Sequence, residues 1–281
     1  MLWRIKLLLS CIAILFGLTA AKGDECPGNP AAPATSRVIV VDPVEHPRVG
    51  TMQYRETLPL NDHEVVLTFD DGPLPPYTTH ILDTLASNCV KATFFIVGRM
   101  AHSSPDLVRR AYREGHTIGT HTENHPLNIA SLSIEHTARE IEFGITSVTR
   151  TLGGSAAPAP FFRFPGLGRS EAAEKYLESQ RIMIWSADVI PDDWKPISAD
   201  QVVQRSLDGL KRKGRGILLL HDIHERTAEA LPILLGKLKS AGYHIVHVVP
   251  VGPDRPKTVT VQTQWMLHTE ENDVDPSSPT E

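Results

Sequence analysis

The sequence predicts an α/β protein built on a parallel sheet, and three observations carry that prediction. Seven strand-like segments alternate with helix-like segments between residues 63 and 250. The number and regularity of these units favour closure into a barrel over an open doubly wound sheet. Polar residues of catalytic type stand at or just past the C-terminal ends of several strands, where barrel enzymes place their chemistry.

The strands are expected, in order, at residues 65–69, 92–97, 117–120, 161–164, 182–186, 216–220 and 244–249. The first is the wholly apolar Val65-Val66-Leu67, which runs straight into Asp70-Asp71-Gly72-Pro73. The third delivers His121, the fourth Arg163, the fifth Asp188, and the sixth, a buried Ile217-Leu218-Leu219-Leu220 run, delivers His221. Helices fill most intervals. The clearest carries Ile134, Ala138, Ile141, Ile145 and Val148 at spacings of four and three, one apolar stripe. Asp222 is placed as a cap for a helix starting near Thr227.

Around this domain, residues 63–250, the sequence sets three flanking regions. Arg4 and Lys6 precede an apolar run ending in Thr19-Ala20-Ala21, so residues 1–21 read as an export signal too short for a membrane span. Residues 22–62 form a proline-rich leader with one β-like run at 37–41, expected to pack across the domain. Residues 251–281 form a polar tail, expected to be mobile, with Trp265 as its only large aromatic and a packing contact as that residue's expected role.

With 281 residues, 41% hydrophobic and 22% charged, the chain can bury one sizeable core. Loss of the signal removes two cations and no acid, taking the formal charge from −5 to −7. A mildly acidic chain without a long basic stretch argues against a nucleic-acid partner. An exported protein, periplasmic or secreted, would carry Cys26 and Cys89 into an oxidising compartment, where one disulfide or two separate thiols are both open.

Asp-Asp-Gly is also a common turn sequence and is a weak signal alone. Two adjacent acids repel, so a cation is expected beside them. His121 and His125 are spaced to converge on one ion if the segment is helical, with Asp71 as third ligand. Thirteen histidines dilute this signal, and His116, His244 and His247 read as residues of apolar strand surroundings. Arg163, set among Phe161, Phe162 and Phe164, is suited to hold Asp70 ionised as a base. His221 is a general acid if a carboxylate raises its pKa, with Asp188 or Asp193 as that partner.

The ordered set Thr68-Phe69-Asp70-Asp71-Gly72, His121-Thr122-Glu123-Asn124-His125, Arg163-Phe164-Pro165-Gly166, Asp188 with Asp193-Trp194, and Leu219-Leu220-His221 resembles the polysaccharide deacetylases. These form the carbohydrate esterase family that contains the nodulation-type chitooligosaccharide deacetylase. The resemblance implies a distorted seven-stranded (β/α) barrel and a divalent metal, zinc first, on Asp71, His121 and His125. It implies that Asp70 takes a proton from the attacking water, that the Gly166 N–H helps to stabilise the oxyanion, and that His221 protonates the leaving amine. Arg163 would orient Asp70, while Asp188 and Trp194 would support the His221 side. The implied substrate is an N-acetylated polysaccharide or oligosaccharide, peptidoglycan first and chitooligosaccharide next, with acetate as product. O-acetylated xylan and a catalytically inactive carbohydrate-binding scaffold are the alternatives, and an iron oxygenase would share the metal triad without needing Asp70, Arg163 or His221.

The sequence departs from the family pattern twice. Gly166-Leu167-Gly168 stands where many relatives carry an aromatic residue after the proline, which removes one wall of the sugar subsite. The stretch from Asp188 to Asp193-Trp194 is longer than the pattern.

Overall fold

A computed structural model describes residues 26–154 and 156–267. The expected export signal and the end of the polar tail lie outside the described residues. Nine strands form one sheet among the described residues. In chain order they and the helices are β1 (Thr35–Val41), β2 (Arg48–Val49), β3 (Glu64–Asp70), α1 (Tyr77–Ser87), β4 (Thr93–Ile96), α2 (Gly98–Ser103), α3 (Pro105–Arg113), β5 (Thr117–Thr120), α4 (Ile134–Thr151), β6 (Phe161–Phe162), α5 (Glu171–Ser179), β7 (Met183–Trp185), α6 (Ala199–Lys213), β8 (Gly216–His221), α7 (Glu225–Ser240) and β9 (His244–Pro250).

All the strand pairings are parallel. The order is β1-β9-β3-β4-β5-β6-β7-β2, with β8 alongside β3. The ring does not close by a continuous ladder, because β8 meets the chain beyond β7 only at the bridge between Leu218 and Val189. The result is a parallel α/β sheet that is not closed, consistent with the distorted barrel the resemblance implied. Two strands come from the leader: β1 runs beside β9 and β2 beside β7.

Residue alternation in β3 explains both the core and the site. Val65, Leu67 and Phe69 face outward and pack with Ile81, Leu82 and Leu85 of α1 and Leu234 and Leu238 of α7. Val66 faces inward with Phe95, Phe161, Trp185, Ile217 and Val246. Both faces are covered, so the strand reads as an unbroken apolar run. Asp70 follows the Val66 register and so ends on the inner side of the sheet. Truncating a side chain such as Phe69 to Ala is worth about 3–5 kcal/mol of stability.

Several boundaries differ from expectation for local reasons. The fourth strand stops at Phe162 because Phe164 to Gly168 turn through a single 3-10 segment in which Gly166 and Leu167 have φ of 54° and 55°. The last long helix begins at Glu225 with His224 at its N-cap, two residues ahead of Thr227. Asp222 caps no helix; it serves the Gly72 turn described below. Helix α6 opens on a capping box between Ser198 and Gln201.

Cys26 and Cys89 form a disulfide with Cα atoms 5.4 Å apart, tying the start of the described chain to the turn after α1. Trp265 is buried, and its ring stacks on His46 with centroids 3.4 Å apart. No helix among the described residues is long and apolar enough to cross a membrane.

Candidate active site

The C-terminal ends of β3, β5 and β8 and the turn after β6 open into one groove of about 740 Å³. Asp70, Asp71, His121, His125, Gly166, Asp188 and His221 all line it, together with Met52, Leu127, Leu167 and Trp194. Arg163 lies beneath, wholly buried.

Asp71, His121 and His125 each offer one ligand atom within 4.8 Å of the others. Asp71 Oδ1 lies 3.3 Å from His121 Nε2 and 3.0 Å from His125 Nε2, and it is buried without a hydrogen-bond partner. A buried carboxylate oxygen left bare between two imidazole nitrogens fits a cation. The tautomer of His121 is set from behind: Nδ1 lies 2.6 Å from the Arg163 carbonyl, so Nδ1–H donates there and Nε2 keeps its lone pair toward Asp71. Burial alone would raise the Asp71 pKa, but the two neighbouring imidazoles outweigh it and hold the carboxyl well below its usual range.

The two histidines converge without a helix. Thr122 and His125 both have positive φ, 66° and 59°, and the His125 N–H donates to Thr122 Oγ1 at 3.0 Å. Helix α4 supports this loop at Gly144, where a Cβ would lie 2.5 Å from the Thr122 backbone. The Asp70-Asp71-Gly72 turn is held in a similar way. Asp71 has φ 79°, the Gly72 N–H donates to Asp222 Oδ1 at 3.0 Å, and Thr78 Oγ1 donates to Asp222 Oδ2 at 2.7 Å. Burial pushes the Asp222 carboxyl up to about 7.

Asp70 is 2% exposed and accepts from Arg163 Nη1 at 2.6 Å. The guanidinium also donates to Thr68 Oγ1 at 2.8 Å and to the Ser186 carbonyl at 2.9 Å, and it lies 4.3 Å from the Phe95 ring centroid. Burial lowers the Arg163 pKa and the Asp70 carboxylate opposes that fall. The pair is geometrically fixed, with Asp70 Oδ2 4.0 Å from His121 Nε2.

Of the two acids left open by the sequence, the structure brings Asp193 to His221. His221 Nδ1 lies 2.7 Å from Asp193 Oδ1, while the His221 N–H and Thr227 Oγ1 donate to Asp193 Oδ2 at 2.8 and 2.7 Å. Burial would lower the His221 pKa, but the Asp193 hydrogen bond and charge, helped by Asp71 and Asp70, push it up to about 9. Asp188 makes no hydrogen bond to His221. It accepts from the Thr51 N–H and Oγ1, from Thr57 Oγ1 and from the Ile217 N–H. Trp194 is 54% exposed at the groove mouth, with the Lys195 ammonium 4.9 Å from its ring centroid.

The chain is similar to known proteins. The profile of the polysaccharide deacetylase family matches residues 57–184. A peptidoglycan-N-acetylglucosamine deacetylase of Bacillus cereus is 37% identical over 195 residues, 67% of this chain and 68% of that protein. The chain belongs to the polysaccharide deacetylase family. The peptidoglycan-N-acetylglucosamine deacetylase PgdA of Listeria monocytogenes is 36% identical over 186 residues, 66% of this chain, and that stretch spans only 38% of the Listeria protein. Among solved structures, a peptidoglycan deacetylase of Bdellovibrio bacteriovorus aligns with a TM-score of 0.69 at 31% identity, covering 77% of this chain and 59% of that one.

Two residues of this deacetylase fold have roles that the sequence alone left open or hid. Asp193 was one of two candidates, and only the six-residue path from Val189 to Trp194 returning beside β8 decides between them. Asp222 follows His221 directly and its acidity was visible, but its service to Gly72 depends on the contact between β3 and β8.

Proposed function

We propose that this chain hydrolyses N-acetyl groups from polysaccharides containing N-acetylglucosamine, with peptidoglycan strands first and chitooligosaccharides next, releasing acetate and a free amine. The observation that carries the reading is the placement of an arginine-held carboxylate and an aspartate-held imidazole in one groove with a three-ligand cation site. The relatives' names support the substrate class.

The donor set of one carboxylate and two imidazoles fits zinc with a position open to substrate or water. A divalent cation there would supply Lewis-acid polarisation of the acetamide carbonyl and a water acidified toward neutral pH. The residues of the chain divide the remaining work. Asp70, held in place by Arg163, takes the proton of the attacking water. On this reading the N–H of Gly166, a residue of the turn that lines the groove, stabilises the oxygen on which negative charge develops. His221, protonated through Asp193, gives its proton to the leaving nitrogen, so that an amine rather than an amide anion departs. Arg163 and Asp193 orient the two groups that exchange protons.

The disulfide fits the oxidising compartment in which an exported deacetylase of cell-wall glycans works. The test is acetate release from N-acetylglucosamine oligomers by the chain after chelation, with and without added zinc. Zinc-dependent release supports the reading, and release that chelation does not reduce, or no release at all, rejects it.

A further inference from the structure

The groove has an apolar wall that comes from outside the family motifs. Gly166 offers no side chain after the motif proline, and the space beside it is met by Leu127, whose Cδ2 lies 3.3 Å from where a Cβ would be. Met52 lines the same groove. Met52 is 50% exposed and Leu127 72% exposed, two large apolar side chains uncovered beside the Asp71, His121 and His125 cluster.

Met52 sits on a strap, residues 48–57, most of which precedes the segment matched by the family profile, 57–184. The strap is fastened to the sheet at successive residues. Arg48 and Val49 pair with Ile184 and Trp185, the Ser186 N–H donates to the Val49 carbonyl at 2.7 Å, and the Met52 N–H donates to the Ala187 carbonyl at 2.9 Å. Gly50 takes φ 105°, and a Cβ there would lie 2.6 Å from Ala187 N, so the approach depends on glycine. Asp188 closes the fastening by accepting from both Thr51 and Thr57. The strap then reaches the turn that carries Gly166: Gln53 Nε2 donates to the Leu167 carbonyl at 2.7 Å. Gly166 and Leu167 are two successive residues with positive φ, a conformation that needs an outside hold, and Gln53 provides one. Tyr54 anchors the far side through Glu174, which also accepts from Arg169.

We infer that the strap 48–57 is a wall of the substrate groove, with Met52 taking the apolar face of a sugar ring in place of the absent aromatic and Gln53 positioning the Gly166 turn. This rests on the deacetylase reading for the identity of the ligand as a chain of N-acetylated pyranoses. A methionine thioether and its methylenes suit the C–H face of such a ring. Asp188, read from the sequence as part of the reacting centre, is on this account the clasp of the strap.

The test compares wild type, Met52→Ala, Met52→Phe and Gln53→Glu, all zinc-reconstituted. It measures calorimetric affinity for an N-acetylglucosamine oligomer, KM and kcat for acetate release, and thermal stability. Met52→Ala is expected to weaken oligomer affinity and raise KM by about five- to tenfold with kcat within about twofold, and Met52→Phe to restore both. Gln53→Glu replaces the donor with an acceptor facing the Leu167 carbonyl, and it is expected to lower kcat by about tenfold with KM and thermal stability nearly unchanged. Wild-type affinity and KM in Met52→Ala overturn the wall, and a wild-type kcat in Gln53→Glu overturns the positioning role of Gln53. If wild type binds the oligomer without releasing acetate, the deacetylase reading fails while the affinity comparison still decides the wall. A wild type that does not bind the oligomer overturns both.

Discussion

Asp70 and Arg163 form a buried ion pair, with Nη1 2.6 Å from Oδ1 and the guanidinium wholly enclosed. The pair is more than a structural brace, because the same arginine offers its backbone carbonyl to His121 Nδ1. One residue therefore orients both the proposed base and one of the proposed metal ligands. Asp70→Asn is expected to abolish turnover while zinc still binds, since Asp71, His121 and His125 are untouched. Steady-state kinetics beside zinc titration checks this, and near-normal turnover would remove Asp70 from its role.

Arg163→Ala should cost more than activity. Removing one partner of a buried pair leaves an uncompensated charge, worth about 3–5 kcal/mol of stability. Denaturant unfolding of the metal-free protein isolates this cost from metal affinity.

His125→Ala is expected to lose the metal and with it the thermal stabilisation that metal binding adds to the folded state. Wild type should therefore show a Tm that rises with added zinc, and the variant a Tm that does not. Equal zinc-dependent shifts in both would displace His125 from the ligand set.

His221 is pushed up to about 9 against its own burial, chiefly by Asp193. A group acting as an acid must be protonated, so activity is held below that pKa and falls as pH rises through it. Asp193→Asn removes the cause of the rise, and the alkaline limb of kcat/KM is expected to move to lower pH. An unchanged limb would assign it to another group.

His116 and His247 are buried histidines whose pKa values desolvation pushes down, to about 3 and about 4. They stay neutral in the folded state while the unfolded chain takes up protons below about 6.5, so stability rises with pH across that window. Their contribution is full above about pH 6.5 and is lost progressively as pH falls toward 4, by roughly 1–2 kcal/mol each at pH 5. Thermal unfolding of wild type from pH 7 to 5 checks the direction, and replacing both histidines should flatten the slope.

Much of this site was legible in the sequence because parallel strands put chemistry at their ends. Val65-Val66-Leu67 announced a strand covered on both faces, and Asp70 and Asp71 had to follow it out of the core. The ladder that sets Asp70 beside His221 was not legible, because both strands read as apolar runs ending in a polar residue and neither run names its neighbour. The convergence of His121 and His125 was foreseen for a helical segment, but it is made by a loop with two positive φ values, a geometry that residue spacing does not carry. Asp193 was separable from Asp188 only by the path of the chain past β7. The strap escaped notice because Thr51, Met52, Gln53 and Thr57 have no motif of their own. Their meaning comes from the residues they meet across the sheet, 187, 188 and 167.

The central claim is that the bond broken is an amide of an amino sugar. The most direct measurement is acetate and free amine counted side by side as the zinc-loaded chain acts on purified peptidoglycan strands. Equal amounts of the two, both lost in Asp70→Asn, are the predicted result. Acetate without matching amine would mean ester cleavage, and neither product from peptidoglycan or from N-acetylglucosamine oligomers would contradict the account.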